Sequence, residues 1–279
     1  MAVKSIDRRG QARTTDGRWQ TSLTAIEPNK IEIRGYPLDE MMGRVTFGEA
    51  VYLLLTGELP SPSIGRLLDA MLVSFIDHGA TPPSTMAARN AATTGATLRD
   101  CVSAGLLGFG RHYGGDVERC RQILEDGLTV ARTGRSLADA AMEIAARLVA
   151  ADDIPPAGFG HRYHTIDPRA TRLLQIAHEL EVDHQYTPFI RALEHALSVQ
   201  PSLAGRSLPI NVDGAIAAVS GDIGLPPEVA DGLLLISRLP GLAAHALEEQ
   251  TREAPMRVID PTSATYDGPS ERRLPERRK

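Results

Sequence analysis

Apolar positions recur mostly every three to four residues, in segments divided by glycine and proline, and that spacing predicts helices over most of the chain. One stretch near the start departs from it. There TSLTAI and KIEIR alternate around Glu27-Pro28-Asn29, the pattern of a small β-hairpin. Thr46 with Glu49 forms a capping box ahead of Val51, Leu53, Leu54 and Leu55, and Gly57 with Pro60 closes that short helix. Ser63 is expected to cap a second helix carrying Leu67, Leu68, Met71, Leu72, Phe75 and Ile76 as far as Gly79, with Asp77 and His78 in its last turn. Alanine- and leucine-rich stretches within 84–95 and 98–108 predict two helices parted by Gly95. Residues 116–133 and 136–151 read as amphipathic helices, the second capped by Ser136.

The run Ile154-Pro155-Pro156-Ala157-Gly158-Phe159-Gly160 breaks the periodicity and leads directly into His161-Arg162. Asp167-Pro168 predicts a helix start with Leu173, Leu174, Ile176, Ala177 and Leu180 as its apolar stripe, and Thr187-Pro188 repeats the device. Helical patterns over 213–221 and about 226–250 complete the series, with a kink expected at Pro240. The predicted fold class is mainly α with a minor N-terminal β-hairpin, and the charge-rich SERRLPERRK end is expected to be poorly ordered or draped on a partner.

A length of 279 residues fits two domains or one large one. The net charge of −5, from 30 basic and 35 acidic side chains of interspersed sign, argues against the concentrated basic face that nucleic acid requires. Charges in MAVKSIDRRGQART occupy the place of a secretory apolar core, and no apolar run is long enough to span a membrane, so a soluble cytoplasmic protein is expected. Cys101 and Cys120, the only cysteines, are read as buried thiols rather than as a disulfide, a zinc site or a redox pair.

The familiar nucleotide signatures are missing: there is no P-loop, and GFGRHY and GFGHRY lack the third glycine of a dinucleotide fingerprint. The zinc-protease helix motif and the α/β-hydrolase nucleophile elbow are absent too. What remains is a set of His, Asp and Arg residues in glycine-rich helix junctions, from which side chains can reach a cleft.

Read in order, these junctions resemble the citrate synthase superfamily, which includes citryl-CoA lyase and the citrate synthase-like module of ATP-citrate lyase. The likeness runs from about Ile33 to Pro269 through IRGYPLDEM, TFGEAVYLLLTGELP, DHGATPPSTMAAR, GFGRHYGGD, GFGHRYHTIDPRA, PINVDGAI, ISRLPGLAAHALEE and YDGP. It implies a helical homodimer with active sites between a large domain, 1–116 with 211–279, and a small domain, 117–210.

The resemblance also implies site residues, and the chemistry explains their types. Making or breaking the bond between an acetyl-CoA methyl carbon and the oxaloacetate carbonyl carbon needs an acid or base at the methyl and a donor at the carbonyl oxygen. Asp213 of NVDG matches the catalytic aspartate that exchanges the methyl proton; the competing reading is a helix N-cap. His161 of GHR matches the histidine that donates to the oxaloacetate carbonyl or, in reverse, removes the citryl hydroxyl proton. His78 of DHG matches a helix-terminal histidine that contacts the dicarboxylate; the alternative is a histidine placed by the helix dipole. Arg169 of DPR and Arg238 of ISR match the arginines that clamp substrate carboxylates. Gly160 and Arg162 are the expected contacts to the coenzyme A thioester.

Three departures shift the reading. Gly110-Arg111-His112-Tyr113-Gly114-Gly115 puts Tyr113 where synthases carry a thioester-facing histidine, and His112 takes that slot only if the turn shifts by one residue. The synthases' last arginine has no exact counterpart in Arg257-Val258-Ile259-Asp260-Pro261, leaving Arg257 as its substitute. Tyr163-His164-Thr165 lacks the lysine common in that stretch, so contacts to the CoA phosphates do not carry over.

The aromatic slot and the DHG and NVDG junctions tilt the expected activity to citryl-CoA lyase, the reversible retro-Claisen cleavage of citryl-CoA or a close analogue to acetyl-CoA and oxaloacetate. The alternatives are a small citrate or 2-methylcitrate synthase and a non-catalytic CoA or dicarboxylate-binding protein. No metal is expected, because His161 and the arginines supply positive character. The chain shows none of the nucleotide-grasp portion of ATP-citrate lyase, which makes a separate citryl-CoA synthetase the candidate upstream partner.

Overall fold

A computed structural model of the chain describes residues 4–6, 12–14, 20–110, 113, 114, 116–257 and 265–273. Strands β1 (Lys4–Ile6) and β2 (Ala12–Thr14) pair antiparallel. Strands β3 (Thr24–Glu27), β4 (Lys30–Ile33) and β5 (Tyr36–Pro37) form an antiparallel sheet, one strand more than the predicted hairpin. The extra strand follows from the second turn, where Arg34 and Gly35 take positive φ values of 52° and 87° and fold the chain back on β4.

Eleven α-helices follow among the described residues: α1 (Leu38–Met41), α2 (Phe47–Thr56), α3 (Pro62–Ser74), α4 (Pro83–Ala92), α5 (Leu98–Leu107), α6 (Asp116–Ala131), α7 (Leu137–Ala150), α8 (Pro168–Glu179), α9 (Tyr186–Ser198), α10 (Val212–Asp222) and α11 (Pro227–Arg252). The mainly helical prediction therefore holds. So do the Thr46–Glu49 capping box, the Ser136 cap and the Asp167 cap.

Two helix starts and one helix end differ from the prediction. Pro62, with no N–H to lose, takes the first helical position of α3, which makes Ser61 rather than Ser63 the cap. The α3 helix ends at Ser74, because its terminal carbonyls are claimed by side chains of α11: Ser237 Oγ donates to Leu72 O and Arg238 Nε to Phe75 O at 2.8 Å. Asp77 and His78 accordingly lie beyond the helix. Thr187 is a buried residue within the first turn of α9, whose cap comes from another helix. The Asp222 carboxylate accepts from the N–H groups of Gln185, Tyr186 and Thr187 at 2.7, 2.9 and 2.9 Å. Pro240 sits inside α11, which is continuous through it.

The chain divides into two compact units, Met1–Asp77 with Phe109–Leu239, and His78–Gly108 with Pro240–Lys279. The first holds the main core, drawn from α2, α3, α6 to α10 and the first part of α11. Its central element is α10, where from Val212 to Gly221 only Asp213 keeps partial exposure. A helix apolar on every side must be wrapped by others, and this one carries a carboxylate at its partly open N-terminus.

In the second unit α4, α5 and the end of α11 pack through small residues. A Cβ on Gly105 would come within 2.9 Å of Leu242, and one on Gly108 within 2.9 Å of Ser84 Cα. Its ionic centre is Glu249, fully buried, whose Oε2 accepts from Arg89 Nε at 2.7 Å and Arg257 Nη2 at 2.6 Å. Among the described residues no helix is long and apolar enough to cross a membrane.

Candidate active site

Two junctions of the first unit are stitched together by their backbones. Gly160 N–H donates to Pro209 O at 2.8 Å, Asn211 N–H to Gly158 O at 3.0 Å, and Asn211 Nδ2 to Gly160 O at 3.0 Å. Phe159 and Ile210 form the bridge between them. Two glycines allow this approach: a Cβ on Gly214 would collide with the Gly158 carbonyl, and one on Gly158 with Cys120 Sγ. Gly158 also needs its positive φ of 85°. The GFGHR turn and the NVDG helix start are thus one structure, with His161 one residue past Gly160 and Asp213 two residues past Asn211.

Asn211, not Asp213, caps α10, its side chain accepting from Gly214 N–H at 3.1 Å. The N-cap reading of Asp213 is therefore removed, and the carboxylate stands half-exposed in the first turn. Beneath it lies Cys120, fully buried, whose thiol is pushed far up by burial first and then by the charges of Asp213 and Asp116. It stays protonated and inert.

The backbone N–H groups of Tyr163 and His164 both donate to His161 Nδ1, at 3.0 and 3.1 Å. With Nδ1 an acceptor, the proton of the neutral ring resides on Nε2, which makes His161 a hydrogen-bond donor. Protonating Nδ1 would set N–H against N–H. Burial, the competition of the neighbouring His164 imidazole for a proton, and the Arg169 and Arg162 charges also lower its basicity, against an opposing pull from Asp167.

Asp167 is a residue whose role the sequence reading missed beyond its cap. Its side chain is fully buried and accepts four bonds: from Arg169 N–H at 3.0 Å, Arg169 Nε at 3.0 Å, Arg169 Nη2 at 2.9 Å and Val212 N–H at 3.0 Å. One carboxylate thereby joins the N-termini of α8 and α10 and fixes the Arg169 guanidinium, leaving Nη1 outside the pair. Burial raises the Asp167 carboxyl, but the Arg169 hydrogen bonds and charge and the two N–H donors outweigh it and hold it below the usual range. The sequence signal was the aspartate two residues before an arginine, which a cap reading alone had absorbed.

Arg238 is buried, with Nε on Phe75 O and Nη1 3.4 Å from Tyr113 Oη. Tyr113 is stacked on Phe109 at 5.0 Å between centroids, and it exchanges both backbone hydrogen bonds with Gly110. Two predicted site residues are thus adjacent. Arg162 is exposed beside Tyr163.

His161, Asp213, Tyr113, Arg169, Arg238, Gly160 and Arg162 all fall in the first unit. His78 and Arg257 fall in the second, His78 exposed and Arg257 paired with Glu249. His112 and Asp260-Pro261 lie outside the described residues. Among the described residues no group of three His, Cys, Asp or Glu side chains is placed to hold a metal.

Residues 60–261 match the citrate synthase C-terminal domain family. The chain belongs to the citrate synthase family. Its fold matches the citryl-CoA lyase of Hydrogenobacter thermophilus with a TM-score of 0.82 at 37% identity, over 92% of this chain and 97% of that one. The ATP citrate lyase of Methanothrix soehngenii, at 18% identity and a TM-score of 0.75, shares the fold over 92% of this chain and 43% of its own. In sequence, the 2-methylcitrate synthase of Shewanella oneidensis is 27% identical over 226 residues, 79% of this chain and 55% of that protein. The citrate/2-methylcitrate synthase of Bacillus subtilis is 27% identical over 77% of this chain and 55% of its own length. The chain spans about half the length of these synthases. The family acts on CoA thioesters.

Proposed function

We propose that this protein is a citryl-CoA lyase, cleaving citryl-CoA or a close analogue to acetyl-CoA and oxaloacetate. The observation that carries the reading is the match in both identity and length to the Hydrogenobacter lyase, where 97% of that chain is covered. Support comes from Tyr113, whose Oη lies 3.4 Å from Arg238 Nη1 and which in sequence stands where the resemblance puts the synthases' histidine.

In this reading citryl-CoA lies with its tertiary oxygen toward His161. The tertiary hydroxyl loses its proton, the carbon–carbon bond breaks, and the bonding pair moves into the acetyl-CoA enolate while the oxygen becomes the oxaloacetate carbonyl. A water molecule accepts the hydroxyl proton; Asp213, as the acid, protonates the enolate carbon and is recharged by that proton, so none is gained or lost overall. The hydrogen bonds on Nδ1 favour one of the two roles considered for His161. Its Nε2–H stabilises the negatively charged oxygen rather than taking the hydroxyl proton. Arg169, through Nη1, and Arg238 bind carboxylates, Tyr113 donates to the thioester oxygen, and Gly160 and Arg162 contact the CoA moiety. Residues 117–210 form the small domain, and the chain acts as a homodimer. Exposed Met86, Leu107 and Leu247 in the second unit suit an apolar subunit contact.

A second reading, a citrate or 2-methylcitrate synthase, is favoured by the synthase relatives and by the same Nε2–H donor, which fits the oxaloacetate carbonyl in the condensing direction. Purified protein is given synthetic citryl-CoA with oxaloacetate followed, and separately acetyl-CoA plus oxaloacetate with free thiol followed. Oxaloacetate release alone supports the lyase. Thiol release at an enzymatic rate supports the synthase, and silence in both assays leaves a CoA or dicarboxylate-binding protein.

A further inference from the structure

The loop after His161 turns back on the catalytic ring. Its aromatic rings lie at 4.4 Å between centroids, with an interplanar angle of 36°, for His161 and His164. The same residue supplies one of the two N–H donors to Nδ1. The His161 imidazole is therefore held at Nδ1 by backbone and flanked by a second, tilted imidazole, although His164 itself is exposed. An exposed side chain gains little from burial by lying there, and ordering it costs rotamer freedom. What the contact does is restrict rotation of its neighbour.

We propose that His164 is a positioning residue for His161, its tilted ring packed against the imidazole and restricting its rotation so that Nδ1 stays on the two backbone N–H groups and the Nε2 proton is presented to the substrate oxygen. A half-turn of the His161 ring would place Cδ2–H against both donors and move Nε2 off its line. The backbone donors disfavour the flipped ring, and the neighbouring ring, tilted by 36°, obstructs the rotation that leads to it.

Charge adds a second effect at the same place. The charged and titratable groups acting on His161 are His164, Asp167, Arg169 and Arg162, and a proton on His164 discourages one on His161. Ring contact and charge are separable, because phenylalanine keeps a ring without the charge. The proposal rests on the assignment of His161 as the donor to the substrate oxygen, so its primary readout requires no turnover.

The test is ¹⁵N-histidine NMR of the unliganded full chain, with His161→Gln to identify the His161 signals, applied to wild type, His164→Ala and His164→Phe. Wild type is expected to show a pure Nε2–H form for His161. His164→Ala should give a mixed or exchange-broadened ring, and His164→Phe should restore the pure form while its midpoint of titration moves up. In citryl-CoA cleavage, His164→Ala should lower kcat about tenfold with KM within about twofold, and His164→Phe should recover most of kcat.

An unchanged His161 spectrum in His164→Ala would overturn the proposal. So would a rise in KM shared by both variants, which would make His164 a direct substrate contact. If wild type fails to cleave citryl-CoA, the functional reading falls while the spectra still decide the positioning role.

Discussion

Replacing Asp167 by asparagine keeps shape and volume and changes only what the buried carboxylate can accept. In the wild type, Oδ1 takes the Arg169 N–H and Nε, and Oδ2 takes Arg169 Nη2 and Val212 N–H. With the amide oxygen in the Oδ1 position, the NH₂ group faces two donors, so both bonds on that side are lost and the Arg169 charge has no counter-ion there. Removing one partner of a buried pair costs about 3–5 kcal/mol. Arg169 is 23% exposed, and partial solvation places the expected loss at the lower end, about 3 kcal/mol.

Urea unfolding at pH 7 reads this loss directly. Asp167→Asn combined with Arg169→Met should be less than additive by about 1.5 kcal/mol, because the repelled guanidinium has gone. The pH dependence has a fixed sign. A carboxyl held below its unfolded value stabilises the fold above about pH 3.9, and that stability is lost as pH falls through the folded value. The gap between wild type and Asp167→Asn should therefore close in acid. A variant within about 0.5 kcal/mol of wild type at pH 7, or a gap that persists in acid, would refute the linking role of this carboxylate.

His161, made less basic by burial and its positive neighbours, should keep kcat/KM level above about pH 6.5 and lose it only below, and an acid limb centred above pH 7 that follows the His161 signals would contradict the neutral donor. Tyr113→Phe should slow cleavage about tenfold, or about 1.4 kcal/mol, against about a hundredfold or more for Asp213→Asn and His161→Ala; equal damage from Tyr113→Phe in single-turnover assays would make Tyr113 an acid. Gly214→Ala should cost more than about 2 kcal/mol, because its Cβ meets the Gly158 carbonyl, whereas Gly232→Ala in α11 meets nothing and should stabilise by about 0.5–1 kcal/mol; thermal melts yielding similar Tm values for the two would remove the argument from close approach. Cys101 and Cys120, both buried, should resist a thiol reagent in the folded protein and react only in urea, and prompt labelling of either under native conditions would contradict their burial.

The sequence disclosed elements whose cause is local. Thr46, Ser136 and Asp167 lie next to the N–H groups they satisfy, so their helices begin where the caps say. Where a remote group decides, local reading failed. The α3 end is set by Ser237 and Arg238 from α11, more than 160 residues away in sequence, and the α9 start by Asp222. An expectation of His78 in a last helical turn could not anticipate that Phe75 O would be taken by an arginine. Type I′ backbone at Arg34-Gly35 was equally hidden, since only glycine marks such a turn reliably.

The site was legible as a set of residue types and illegible as a set of constraints. GHR, DPR and NVDG name the groups that could meet a multiply charged acyl-CoA, and seven of the nine expected residues fall in one unit. Nothing in their spacing says that one carboxylate must serve both helices, or that two N–H groups of the following loop hold His161 at Nδ1. Yet these constraints govern the chemistry more than the inventory does. A histidine with both tautomers open could act as base or donor; held at Nδ1 by two N–H groups, it donates. An arginine in solution offers five donors in any direction, whereas Arg169 has two pledged to Asp167 and Arg238 one to Phe75, so the directions left for a substrate carboxylate are few. If the proposed reading holds, specificity for a polycarboxylate comes from the donors the fold leaves uncommitted, and substitutions at Asp167 should redirect substrate preference even though it is fully buried.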